Sequence, residues 1–306
     1  MAVADITPIP LGLVDSDIDA AAAAFGDAFG RTGFAVVADH GVPDAVVDRA
    51  LAATKALFAL PDSIKARYIV AGGGGQRGLT PFGIETAKGA ALSDLKEFWH
   101  IGRDLPPGSP LRQAMPDNVW PEVPDFRPAV TALYAALDAA GTRVLRALAR
   151  HLGLADDYFV DPTRDGNSIL RLLHYPPVSG TPAAVRAGAH EDINVITLLL
   201  GAEEPGLQLL GRDGEWRDVD APAGTLVCNI GDMLARLTGG QLPSTSHRVV
   251  NPSPERARRA RYSTPFFLHF RPDFVIAPMA GDAGAALPPI TADAFLRQRL
   301  GEIGLG

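Results

Sequence analysis

One cysteine, Cys228, stands in 306 residues. A lone thiol excludes a disulfide framework and a cysteine-rich zinc site. Long apolar runs are missing too: stretches such as Val195 to Gly201 stop far short of the about 20 residues that a helical membrane span needs. There is no basic excess. Lys plus Arg is 28 against 35 for Asp plus Glu, a formal charge of −7, which argues against nucleic acid as a partner. Arg256, Arg258, Arg259 and Arg261 do cluster, but over a loop and a strand, so they imply a solvated turn plus one functional arginine. The first ten residues carry neither a basic segment nor an apolar core, so no signal peptide is expected and a soluble, cytoplasmic protein is the default. The glycines at 72–75 are not followed by the Gly-Lys-Ser/Thr of a phosphate loop. Ala71 to Gly78 is expected to be a mobile surface loop, with a phosphate site as the poorer reading.

What is present is ordinary globular material, 47% hydrophobic and 21% charged, long enough for a large core. Residues 17–31 have apolar side chains three and four apart and predict a helix; Gly33 to Val37 predicts a short buried strand, and 44–60 a second helix. A proline-rich irregular stretch, 105–126, precedes a long alanine- and leucine-rich helix over 127–153, expected to be the spine on which a sheet packs. Beyond about residue 165 short β-rich runs alternate with turns: Ile169–Tyr175, Ile193–Leu200, Leu207–Leu210, Trp216–Val219, Thr225–Ile230, His247–Val250 and Arg261–Phe270. Such spacing predicts an antiparallel sandwich or barrel. With no repeat and no low-complexity linker, residues 1–125 are expected to be a helical accessory region and 126–306 the spine plus barrel, in one composite unit.

Three residues carry the chemistry. His190 and Asp192 are two apart, which in extended chain places both on one face, while Glu191 points elsewhere. His247 follows 55 residues later at the head of another β run, and distant strands become neighbours in a closed barrel. Two imidazoles and one carboxylate suit a borderline metal such as Fe(II) and leave coordination positions open. The bland alternative is that a His-x-Asp pair is surface or helix-cap chemistry. Of the other histidines, His151 fits a helix C-terminal cation, His40 and His269 fit local hydrogen bonding, and His100 and His174 are candidates to line a cavity.

Arg261 and Ser263 alternate onto one face as well. A guanidinium holds a carboxylate through two parallel hydrogen bonds, and a serine hydroxyl adds a third donor. The pair suits the distal carboxylate of 2-oxoglutarate; the competing reading is an arginine tied to a structural acid. Arg171 and Tyr175 share one face of the run Arg171 to Tyr175, and each is a candidate to reach a carboxylate in the cavity.

In order, Leu172 to Pro177, His190-Glu191-Asp192, Gly206-Leu207-Gln208, Trp216, Asn229-Ile230-Gly231-Asp232, Ser246-His247-Arg248-Val249 and Arg261-Tyr262-Ser263 resemble the 2-oxoglutarate and Fe(II)-dependent dioxygenases of the isopenicillin-N-synthase-like group. Gly33-Phe34, His40-Gly41-Val42-Pro43 and Asp94-Leu95-Lys96-Glu97 resemble that group's N-terminal region. The resemblance implies an α+β protein with a mainly β core, a double-stranded β-helix (jelly-roll) barrel with N-terminal and flanking helices. It implies His190, Asp192 and His247 as Fe(II) ligands, Arg261 and Ser263 as 2-oxoglutarate anchors, and Tyr175 as a further contact. One departure stands out: many plant members have Asn two residues before that tyrosine, and this chain has Leu173, so Arg171 is a candidate substitute. Asn229 to Asp232 is taken as a turn that shapes the barrel, without a catalytic role.

The implied reaction oxidises a small organic substrate with O2, releasing succinate and CO2. One alternative keeps the iron and dispenses with 2-oxoglutarate. Another is a metal- or ligand-binding barrel without turnover, or a zinc hydrolase, which lacks support because no His-Glu-x-x-His is present. Arg77, Lys88 and Arg171 suggest an anionic substrate, set against the ordinary reading of surface basic side chains; a monomer is preferred. Loops around Gly72 to Lys88, the 100–120 segment, Phe267 and His269 are expected to make the substrate pocket.

Overall fold

The structure is a computed structural model that describes residues 3–85, 92–177, 185–200, 206–279 and 287–302. Lys88 therefore lies outside the described residues.

Near the N-terminus, Asp17 caps the helix Ile18–Thr32 by accepting a hydrogen bond from the Ala20 amide. Its apolar stripe, Ala21, Ala22, Phe25 and Phe29, is buried. This helix and a second, Asp44–Phe58, both pack on the spine helix Phe126–His151. The spine buries Leu133, Leu137, Val144, Leu145 and Leu148 along one stripe. Gly141 lets the sheet come close: a Cβ there would meet Leu268 Cδ1 at 2.7 Å and Leu198 Cδ1 at 3.0 Å.

Two sheets face each other beyond the spine. The larger runs Ile9–Pro10, Phe34–Ala38, Leu226–Ile230, Ile196–Leu200, Phe266–Leu268, Ile169–Tyr175, Glu97–Gly102 and Gly78–Thr80, and Arg261–Ser263 also pairs with Ile169–Tyr175. The smaller runs Ala187–His190, His247–Val249, Leu207–Leu210 and Trp216–Asp218. From residue 169 the chain passes repeatedly from one sheet to the other. Ile169–Tyr175, Ile196–Leu200, Leu226–Ile230 and Phe266–Leu268 belong to the larger, with the smaller sheet's strands between them. That alternation is a double-stranded β-helix. Leu226–Ile230 is buried at every position, as expected for a strand covered on both faces.

The expected β runs all hold strands, with two differences. The run Arg261–Phe270 splits into Arg261–Ser263 and Phe266–Leu268, because Pro265 has no amide to donate to the ladder. Ala187–His190 is a strand that β propensity does not announce, since Ala-Gly-Ala-His is poor strand material. Pairing with His247–Val249 imposes it.

His174 does not line the cavity. It lies on the reverse face of its strand, stacked on Tyr262 with ring centroids 4.8 Å apart. There its Nδ1 lies 2.8 Å from Glu97 Oε1, and Lys65 Nζ reaches Glu97 Oε2 at 2.8 Å. Burial alone would raise the Glu97 pKa, but His174 and Lys65 outweigh it and hold the carboxyl below its ordinary value of 4.5. A depressed carboxylate contributes stability that is present above its unfolded pKa and is lost as pH falls through the folded one. The stability difference between the wild-type protein and Glu97→Gln is therefore expected to be largest near pH 6–7 and to shrink below about pH 4. Denaturant titrations at several pH values check this.

Candidate metal centre

His190 ends its strand and faces His247 directly across the smaller sheet, in register. Their ring centroids lie 4.5 Å apart. Asp192 follows in the turn after the strand. Its Oδ1 lies 3.8 Å from His190 Nε2 and its Oδ2 3.8 Å from His247 Nε2. One ligand atom from each residue lies within 4.8 Å of the others. Glu191 between them is exposed and stands outside that group, as its alternation requires.

Both imidazoles are oriented from behind. His190 Nδ1 lies 2.8 Å from the Gly188 carbonyl and His247 Nδ1 lies 3.1 Å from that of Thr245. A carbonyl only accepts, so each Nδ1 carries the proton and each Nε2 lone pair is turned to the shared point. Burial, then the neighbouring His247, push the His190 pKa down to about 4 against the pull of Asp192. His190 is thus neutral and able to ligate at physiological pH.

The carboxylate is supported as well. Asp192 Oδ2 accepts hydrogen bonds from Thr197 Oγ1 at 2.5 Å and Asn229 Nδ2 at 2.8 Å. Asn194 Nδ2 donates in turn to Thr197 Oγ1 at 2.9 Å. Burial raises the Asp192 pKa, but His247, His190 and these two donors together hold it below its ordinary value. Asn229 is therefore more than a turn former: it lies inside the strand Leu226–Ile230, one residue before its end, with its amide on the carboxylate. Gly231 permits this packing, because a Cβ there would lie 2.2 Å from the Asn194 carbonyl oxygen. Phe34, from the N-terminal strand, sets its ring edge-on to His247 at 5.5 Å. Neither Asn229 nor Phe34 was assigned a site role from the sequence; an amide following a β run and preceding Gly-Asp was the available signal. Asn229→Ala and Thr197→Val are each expected to weaken divalent metal binding by about 10–100-fold, measured by titration under anaerobic conditions.

The other candidates gather on neighbouring strands. Arg261 pairs in register with Tyr175, and Ser263 with Leu173. Arg261, Ser263 and Tyr175 are all buried. The Arg261 guanidinium lies over the Tyr175 ring, 5.0 Å from its centroid. Its Nε and Nη1 are buried and have no hydrogen-bond partner among the described residues. Leu173 packs with Phe98 and Tyr175, so an apolar contact replaces an amide at this place. Arg171 points into a cavity of about 1380 Å³ whose lining includes His190 and Asp192. That volume exceeds the about 300–1,000 Å³ of ordinary ligand pockets, and Arg261, Ser263 and Tyr175 are not among its lining residues. Gly72 to Gln76, Ala114, Pro116, Phe267 and His269 also line it. The glycine-rich segment is thus part of the cavity wall, and His269 faces the cavity as well as bonding locally. No described helix is long and apolar enough to cross a membrane.

Residues 3–123 match the family described as non-haem dioxygenase in morphine synthesis, N-terminal, and residues 166–270 match the 2OG-Fe(II) oxygenase superfamily. The chain belongs to the 2OG-Fe(II) oxygenases. A 2-oxoglutarate-Fe(II) type oxidoreductase, hxnY, of Emericella nidulans is 34% identical over 281 residues, which is 87% of this chain and 79% of the relative. A 2OG-Fe(II) oxygenase family protein from Caulobacter crescentus superposes with a TM-score of 0.91 at 52% identity, covering 98% of this chain and 100% of the other. Neurospora crassa T7H in complex with alpha-KG and thymine superposes with a TM-score of 0.85 at 28% identity, covering 97% and 96%. The oxygenase therefore works with Fe(II), O2 and 2-oxoglutarate (alpha-KG). The iron and keto acid together supply oxidation of a small organic substrate with release of succinate and CO2.

Proposed function

We propose that His190, Asp192 and His247 hold the Fe(II) and that Arg261, Ser263 and Tyr175 grip 2-oxoglutarate, with a small, anionic organic molecule oxidised in the adjoining cavity. The donor set fits the ion: two imidazole nitrogens and one carboxylate would form a facial set with open positions, and no fourth His, Cys, Asp or Glu joins the group among the described residues.

The observation that carries the keto-acid part is the Arg261 guanidinium. It is buried, always charged, and among the described residues without hydrogen-bond partners at Nε and Nη1. Buried charges in folded proteins are paired, so this one calls for a carboxylate from outside the chain. Its strand neighbour two residues on, Ser263, adds a hydroxyl on the same face. This favours 2-oxoglutarate over the alternative of an iron oxidase that takes O2 and substrate alone.

In this reading the protein's own work is positional. Gly188 and Thr245 fix the imidazole tautomers, Thr197 and Asn229 fix the carboxylate, and the walls contributed by Phe98 and Phe267 exclude water. The test is a titration of the Fe(II)-loaded protein with 2-oxoglutarate without oxygen, followed by succinate measurement once air is admitted. Saturable binding and succinate release are expected. Iron binding without either would leave the oxidase reading in its place.

A further inference from the structure

A glycine-rich segment, a buried histidine and one arginine, which no sequence motif connects, meet at the cavity beside the metal centre. His100 Nδ1 lies 2.6 Å from the Gly75 carbonyl oxygen, so that nitrogen bears the proton. His100 Nε2 lies 2.6 Å from Arg171 Nε, which always bears one, so Nε2 accepts. The imidazole is therefore neutral, in one tautomer, and joins the glycine-rich wall to the guanidinium.

Arg171 is held on its faces as well. Its Cζ lies 4.2 Å from the Phe98 ring centroid and 5.1 Å from that of Phe267. What remains open is the edge of the fork. Its acidic neighbour Glu85 has both oxygens at 3.5 Å from Nη1, longer than a charge-assisted hydrogen bond. Glu85 is closer to Lys96, at 2.7 Å, and Lys96 also holds Asp94 at 2.9 Å. Arg171 Nη2 makes no hydrogen bond among the described residues. The third inner cation, Arg77, is turned to the carbonyls of Gln76 and Pro116 and to Asn167. Arg171 thus shares Glu85 with Lys96 and keeps one nitrogen, Nη2, open on the wall that also carries His190 and Asp192, whereas the nitrogens of Arg77 are taken by neutral oxygens.

We infer that Arg171 is the specificity anchor for a carboxylate on the substrate, and that His100, pinned by Gly75, aims it. This rests on the metal-centre reading above and moves Arg171 from the co-substrate to the substrate. With Phe98 and Phe267 against the guanidinium and Nε given to His100, a ligand meets it at the Nη1–Nη2 edge. That is the approach in which two parallel N–H···O bonds form to a carboxylate, and a neutral amide offers only one acceptor oxygen to match. Glycine at 72–75 lets the segment run close enough for its carbonyl to reach His100, with Gly75 at a φ of 68° that side-chain-bearing residues rarely adopt.

The test uses the Fe(II)- and 2-oxoglutarate-loaded protein under argon, titrated calorimetrically with phenylacetate and with phenylacetamide. Phenylacetate is expected to bind at least about ten-fold more tightly than the amide, the yield of one hydrogen-bonded charge pair. Arg171→Gln is expected to bind both alike, and Arg171→Lys to keep part of the preference. His100→Leu is expected to weaken the acid while leaving the amide's affinity unchanged, whereas a merely structural loss weakens both. Equal affinities in the wild-type protein, failure of the acid to bind, or a preference that survives Arg171→Gln overturns the proposal. The wild-type comparison needs no variant to fold. Titration with 2-oxoglutarate alone is done first: a protein that binds it yet treats acid and amide alike loses only the anchor.

Discussion

Asp192→Ala is expected to abolish succinate formation and to weaken Fe(II) binding by more than the about 100-fold upper range seen for loss of an outer partner. Asp192 is the one anionic ligand in the group, and its two oxygens each face an imidazole at 3.8 Å. Without it, two imidazoles stand alone against the hydration of a divalent ion. The effect is expected to be local. Thr197 and Asn229 lose an acceptor but keep the backbone and Asn194 around them, so the fold persists. Asp192→Asn separates charge from shape: its amide oxygen still ligates, while Thr197 and Asn229, both donors to Oδ2, must now share a group that can present an NH2. Metal affinity is expected to fall between that of the wild type and that of Asp192→Ala. Anaerobic metal titration and succinate release on admission of air measure both.

Arg261→Leu is expected to raise the dissociation constant for 2-oxoglutarate by about 30- to 5,000-fold, from the about 2–5 kcal/mol that losing one partner of a buried charge pair costs. The same change is expected to leave the ligand-free protein at least as stable as the wild type. In the free protein Arg261 Nε and Nη1 are buried without hydrogen-bond partners among the described residues, a desolvated charge that an apolar side chain of similar reach removes. Opposite signs in the two measurements distinguish a ligand anchor from a structural ion pair, whose loss lowers stability. Arg261→Lys restores charge without the planar fork and is expected to recover only part of the affinity. Metal binding, which involves other strands, is expected to change far less.

Much of this was legible in the sequence because it is periodic. Alternation placed Ile169–Tyr175 and Leu207–Leu210 to the residue, and a spacing of two put His190 with Asp192 and Arg261 with Ser263. Helical apolar period located the two N-terminal helices, and alanine- and leucine-rich composition the spine. What the chain did not disclose depends on strand register. Asn229 reaches Asp192 because Leu226–Ile230 lies beside Ile196–Leu200, and the linear sequence carries no trace of that pairing. His100 meets Arg171 for the same reason, being directly opposite it on the adjacent strand. His174, by contrast, had seemed equally able to face the cavity. One residue of alternation separates it from Tyr175, and Tyr262, Glu97 and Lys65 claim it on the other side. The strand Ala187–His190 has no local preference to announce it and exists because His247 and its neighbours need a partner.

The most direct measurement is a crystal of the protein grown with Fe(II) and 2-oxoglutarate under argon, with the ion located by its anomalous scattering. The account expects one ion bonded to His190 Nε2, His247 Nε2 and an Asp192 oxygen, with a carboxylate of 2-oxoglutarate against Arg261. An ion bound by other residues, or Arg261 facing only protein while 2-oxoglutarate lies elsewhere, would contradict it.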